Sequence, residues 1–221
     1  MSAVPLAPLL RRKRLLIFDL DGTLVDSSPL HARSYQETFA PFGIRVDYPS
    51  IAGLTTERAV DRIAADAGLS LDEEQRGELV AAKRRRAIRL IEAEIVAFPG
   101  AREFVERASA RFMLALATSA SRASAQLSLE RVGLAGRFEP MVTAEDVARG
   151  KPDPEIFERA LRYHRLPAEE ALVFEDAESG LAAAVAAGIE AISFAPDPAR
   201  APGFPRGDWT ALLAALDEIG A

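Results

Sequence analysis

The chain contains no cysteine. That excludes disulfides, thiol nucleophiles and thiolate metal sites, and it suits a reducing cytoplasm. Only two histidines are present, so a Ser-His-Asp triad is thinly supplied. Positive charge is not in excess: 27 Lys and Arg stand against 33 Asp and Glu, for a net charge of −6. A nucleic-acid or membrane-surface partner is therefore not expected. No apolar run reaches the length of a transmembrane helix. The opening MSAVPLAPLLRRKR places its basic residues after a short apolar segment, the reverse of a signal peptide, so residues 1–13 are expected to be a simple extension of a cytoplasmic protein. There is no G-x-G-x-x-G. The GKP at 150–152 is no P-loop either, because Glu145 stands where its first glycine belongs and Pro152 where its Ser or Thr belongs. Internal repeats and low-complexity tracts are also lacking.

What is present is a set of short, continuously apolar runs. They are RLLIF (14–18), FMLALAT (112–118), ALVFED (171–176) and IEAISF (189–194), with FEPMV (138–142) a weaker member. Runs apolar on both faces suit a parallel sheet covered by helices, and helical patterns such as PEIFERALRYH and AESGLAAAVAAG lie between them. The expectation is an α/β, doubly wound, mainly parallel sheet formed by residues 14–28 and 98–221. The 221 residues, 49% of them hydrophobic, suffice for a sizeable core. Residues 29–97 break the rhythm with helical periodicity alone, predicting an inserted all-α domain able to move as a lid. Ser28-Pro29 reads as the start of its first helix, with Ser28 as N-cap. Trp209 is expected to pack a C-terminal helix onto the core.

In an open parallel sheet, ligands bind beyond the carboxyl ends of the strands. Those ends carry Asp19 and Asp21, then Thr118 and Ser119, then Glu175 and Asp176, with Lys151 in an intervening loop. Asp19 and Asp21, two apart, leave one face of an extended chain. Carboxylates so close repel unless one is protonated or a cation lies between them. Asp176 offers a third oxygen, and an all-oxygen donor set points to Mg²⁺. Lys151 and Thr118 can hold a phosphoryl group, a carboxylate can serve as its nucleophile, and the neighbouring carboxylate can act as general acid and base.

DLDGT at 19–23, Thr118 in LALATSAS, Lys151 in GKPDPEIF and VFEDAESG at 173–180 resemble the four motifs of the haloacid dehalogenase-like superfamily of phosphohydrolases, with a helical cap after the first strand. The resemblance covers nearly all of the chain from residue 14. It implies a Rossmann-like core, Asp19 as nucleophile, Asp21 as general acid/base, and Thr118 and Lys151 on the phosphoryl oxygens. It implies Mg²⁺ held by Asp19, the backbone carbonyl of Asp21, and Asp176, with Glu175 a ligand or its supporting partner. Prototype dehalogenases lack the second aspartate, so Asp21 favours phosphoryl chemistry over carbon–halogen hydrolysis.

In the cap, His31 shares a helical face with Tyr35, Phe39 and Phe42. Lys83 falls at the edge of a later apolar stripe and Arg84 near its centre, so either can be a snorkelling base or a cation facing substrate. GLTTER at 53–58 is similar to the superfamily's specificity loop. His31 and Lys83 match the pattern of the β-phosphoglucomutase and phosphoglycolate phosphatase-like group, whose mutases carry an arginine where this chain has Thr56. The expected substrate-binding residues are thus Ser119, His31, Thr56 and Lys83. The expected activity is Mg²⁺-dependent hydrolysis of a small phosphate ester, such as a sugar phosphate or a phosphoglycolate-like ester. A β-phosphoglucomutase-like isomerase and a non-catalytic phosphate- and Mg²⁺-binding module are the alternatives. A monomer or weak homodimer is expected.

Overall fold

The computed structural model describes residues 5–197, 199 and 201–220. Five strands form one parallel sheet in the order β3-β2-β1-β4-β5, with β1 Leu15–Phe18, β2 Met113–Ala117, β3 Met141–Val142, β4 Ala171–Glu175 and β5 Glu190–Ser193. Each apolar run supplied one strand. Alternation along the strands divides the core into two layers. Leu16, Phe18, Leu114, Leu116, Leu172 and Phe174 enter one apolar cluster. Leu15, Ile17, Ala115, Ala117, Ala171 and Val173 enter the other.

The first layer is covered by α1 (Leu6–Arg11), α5 (Ala101–Ala108), α6 (Arg122–Arg131) and α9 (Trp209–Ile219). Phe18 stacks on Phe174 with ring centres 4.6 Å apart, and Trp209 stacks on Phe194 at 4.5 Å. Truncating a buried ring such as Phe18 to Ala would cost about 3–5 kcal/mol. The second layer is covered by α7 (Glu155–His164) and α8 (Glu178–Ala186). Gly188, in the left-handed region at φ +72°, follows α8 and lets the chain turn into β5.

The stretch before β1 is more than a loose extension. Leu9 and Leu10 of α1 are buried in the first layer. Lys13 is also buried, its ammonium bonding Glu190 at 2.6 Å and the Glu169 carbonyl at 2.7 Å. A proline inside a six-residue helix hid the periodicity of this segment.

Between β1 and β2 the chain forms α2 (Ser28–Phe39), α3 (Thr56–Asp66) and α4 (Glu73–Glu94), joined by turns and containing no strand. This insert has its own apolar cluster, centred on Tyr35, Phe39, Val60, Ile63 and Val80. Phe42 departs from the expected face: α2 ends at Phe39, and Phe42 lies in a short 3₁₀ turn, about half exposed. The N-cap position of α2 is Ser27 rather than Ser28, and its side chain makes no capping bond. Among the described residues no helix is long and apolar enough to cross a membrane.

Candidate active site

Parallel pairing places the carboxyl ends of β1, β2 and β4 side by side, with β1 in the middle. The residues just past those ends therefore meet. Asp19, Thr118, Ser119, Glu175 and Asp176 line one cavity with Asp21 and Lys151, and the insert closes it with His31, Tyr35, Tyr48, Thr56 and Lys83.

Lys151 organises the floor. Its buried ammonium donates to Asp19 Oδ1 at 2.6 Å, Glu175 Oε2 at 2.7 Å and the Ala117 carbonyl at 3.1 Å, using all three protons. Burial alone would lower its pKa, but Asp19 and Glu175 outweigh that and hold it above the ordinary lysine value. The acids gain less. Asp19 is raised well above the usual carboxylate value by burial and by Glu175, with Lys151 opposing. Asp176 is pushed up to about 8, again by burial and then Glu175. One ammonium cannot serve three carboxylates.

Oxygens of Asp19, Glu175 and Asp176 lie within 4.8 Å of one another. Three carboxyl groups crowd around one ammonium, and every donor is a hard oxygen. Gly22, at φ +87°, has no Cβ where one would lie 2.1 Å from Asp176 Oδ2, so its absence keeps that oxygen clear. These residues fit a divalent cation such as Mg²⁺. Glu175 is already committed: its second oxygen accepts from the backbone N–H of Asp176 and Ala177.

Asp21 points elsewhere. Its carboxylate is outside that trio and accepts from Ser27 Oγ at 2.5 Å, with His31 Nε2 at 3.2 Å. Lys83 Nζ lies 3.1 Å from His31 Nδ1. A charged ammonium has no acceptor, so Nδ1 must accept and the ring proton sits on Nε2, facing Asp21. Burial would raise Asp21, yet the imidazole of His31, the Ser27 hydroxyl and the Lys83 charge keep it below the ordinary value. Lys83 itself, over the Tyr35 ring at 4.4 Å, is lowered to about 8 by burial. Arg84, on the next face of α4, instead pairs with Glu57 at 2.5 Å.

Thr118 Oγ1 accepts from the Ala120 N–H at 3.0 Å, which leaves its own O–H free to donate. The insert reaches the core through its 53–58 loop. A Cβ on Gly53 would lie 2.9 Å from Ala177 Cβ and Ser179 Oγ, and Arg58 donates to the Lys151 carbonyl at 3.3 Å. Sequence reasoning missed Ser27, which no motif marks, and Tyr48, which lies in a 3₁₀ turn without periodicity.

An α/β sheet with a carboxylate nucleophile candidate, a lysine and an acidic cation site at its strand ends defines a phosphoryl-handling hydrolase. Comparison with known proteins agrees. Residues 13–188 match the family model of the haloacid dehalogenase-like hydrolase. Protein CbbY of Rhodobacter capsulatus is 32% identical over 209 residues, covering 89% of this chain and 91% of that protein. The phosphorylated carbohydrates phosphatase of Thermotoga maritima is 33% identical over 180 residues, covering 80% of this chain and 82% of that protein. Among solved structures, a mutant of CbbY from Rhodobacter sphaeroides in complex with xylulose 1,5-bisphosphate superposes with a TM-score of 0.78. It is 28% identical and covers 88% of this chain and 92% of its own. The chain belongs to the haloacid dehalogenase-like hydrolases. Within them it is a phosphoric monoester hydrolase, the class of its phosphatase relatives.

Proposed function

We propose that the protein hydrolyses small phosphorylated carbohydrates through a phospho-enzyme formed on Asp19. The observation that carries this reading is the placement of Asp19, almost fully buried yet lining the cavity, with Lys151 fixing one of its oxygens. Relatives supply the substrate class: one is a phosphatase of phosphorylated carbohydrates, another was solved with a sugar bisphosphate.

Asp19 attacks phosphorus, the P–O bond to the leaving group breaks, and the leaving oxygen takes a proton from Asp21. In the second step Asp21 takes a proton from water, the water oxygen bonds to phosphorus, and the carboxylate of Asp19 leaves. The ionised Asp21 held by Ser27 and His31 suits the second step. A phosphoryl dianion arriving between Asp19 and Asp21 raises its proton affinity for the first. Thr118 donates its free O–H to a phosphoryl oxygen, and Ser119 lies beside it. Asp19 and Asp176, with the Asp21 backbone carbonyl, would hold Mg²⁺, which would offset the charge of the acids and polarise the phosphoryl group. Glu175 orients Lys151 and the start of α8. The insert, as a lid, excludes water from the closed cavity through the 53–58 loop and the bond from His31 to Asp21.

The test is release of inorganic phosphate from sugar phosphates with Mg²⁺. Asp19→Asn should lower turnover by roughly 10⁴-fold or more while the fold is kept. Appreciable turnover by that variant would overturn the assignment.

A further inference from the structure

Helix α4 buries Leu79, Val80, Lys83, Ala87 and Ile91. Its opposite face carries a stripe of Glu74, Glu78, Ala81, Ala82, Arg85 and Arg89, the four charged residues exposed and the two alanines half-buried. At about 100° per residue, all six lie within roughly 50° of one line along the helix.

The charged members of this stripe lack partners. Among the described residues, the side chains of Glu74, Glu78, Arg85 and Arg89 make no hydrogen bond or ion pair. Charged residues elsewhere on α4 are engaged, as in Arg76 with Asp61, Arg84 with Glu57 and Glu92 with Arg131. Glu74 and Glu78 are four apart, as are Arg85 and Arg89, and like charges at that spacing weaken a lone helix. The helix dipole accounts for Glu74 in the first turn. It does not account for Arg85 and Arg89, which precede a last turn carrying Glu92 and Glu94.

The order acid, acid, small, small, base, base reads the same from either end with its signs exchanged. A second copy laid antiparallel, about a two-fold axis between Ala81 and Ala82, therefore sets Glu74 opposite Arg89 and Glu78 opposite Arg85 on both sides of the axis. A parallel copy would set like charge against like. Alanines at the crossing let two helix axes approach to about 8 Å. Beside the stripe runs an apolar groove of about 680 Å³, with Pro41, Phe42, Leu69 and Leu71 on one side and Ala81 and Ala82 on the other. Phe42 there is 48% exposed. A helix face about 33 Å long and 10 Å wide covers less than half of the roughly 800 Å² that each partner buries in a stable dimer, and the groove adds apolar surface to it.

We propose that the protein forms a two-fold dimer in which the exposed faces of two α4 helices cross antiparallel, Glu74 and Glu78 of each copy meeting Arg89 and Arg85 of the other. No residue of the stripe lines the active-site cavity, so the pairing is independent of the reaction.

Sedimentation velocity of the full chain between about 1 and 200 µM tests this, with a sedimentation coefficient that rises with concentration from the monomer toward the dimer value. Raising NaCl from about 50 mM to about 1 M should shift the equilibrium back toward monomer. Glu78→Arg and Arg85→Glu each set like charges opposite one another twice in the dimer, and each should raise its dissociation constant about tenfold or more. Mixed in equal amounts, the two variants are complementary again, and the dissociation constant should return to within about threefold of wild type. An unfolded variant could not be rescued in this way, which separates loss of pairing from loss of fold. A wild type that stays monomeric up to about 200 µM overturns the proposal. A dimer indifferent to both variants, or variants that weaken it and are not rescued by mixing, overturns it equally.

Discussion

On the sheet side of the cavity, three acids within 4.8 Å share a single ammonium, and their positions follow from strand ends. On the insert side, one lysine and one histidine stand among tyrosines and a threonine, and their positions follow from the rotation of helices. The first side stores like-charge repulsion that a cation relieves. The second carries little net charge and offers hydroxyls. The proposed chemistry thus belongs to the sheet side, and the insert touches it through His31 and Lys83 at Asp21.

Metal is the lever on the sheet side, and it should give the larger effect. Adding Mg²⁺ to chelator-treated protein should raise Tm, since an ion that binds only the folded state stabilises it. Asp176→Asn removes one of the crowded charges, so the metal-free variant should melt at or above the metal-free wild type and show little response to Mg²⁺. Calorimetry with and without Mg²⁺ measures both. An undiminished response would remove Asp176 from the cation site and blur the contrast between the two sides.

Lys83 is the corresponding lever on the insert. Its folded pKa of about 8 lies below that of an ordinary lysine. Between about pH 8 and 10.5 the unfolded chain therefore binds a proton that the folded protein does not, and stability from this group rises with pH over that interval. At lower pH the buried charge is a cost of up to about 3 kcal/mol. Lys83→Met keeps the stem and removes the charge. The difference in urea midpoint between variant and wild type should favour the variant at pH 7 and shrink toward pH 10. A difference independent of pH would show that Lys83 acts only through packing.

The same contrast governs what could be read from the sequence. Runs such as LLIF and ALVF are buried on both faces, which continuous apolar composition signals directly. Once those strands are parallel with β1 central, Asp19, Thr118, Glu175 and Asp176 must converge, so the cavity floor was legible. Lys83 and Arg84 were not separable, because adjacent helical residues differ by about 100° and a long basic chain at a stripe edge can turn either way. Ser27 appears as a partner of Asp21 only when α2 starts where it does. Tyr48 sits in a 3₁₀ turn and Phe42 beyond a helix end, places where periodicity carries no information.

The most direct test of the account is chemical trapping on Asp19. The Mg²⁺-loaded enzyme is mixed with excess sugar monophosphate, quenched in acid within the first turnovers, digested and examined by mass spectrometry. A phosphoryl group on the peptide containing Asp19, absent in Asp19→Asn, is the predicted result. Steady release of phosphate with no phosphorylated peptide at any quench time, or with the label on a different residue, would contradict it.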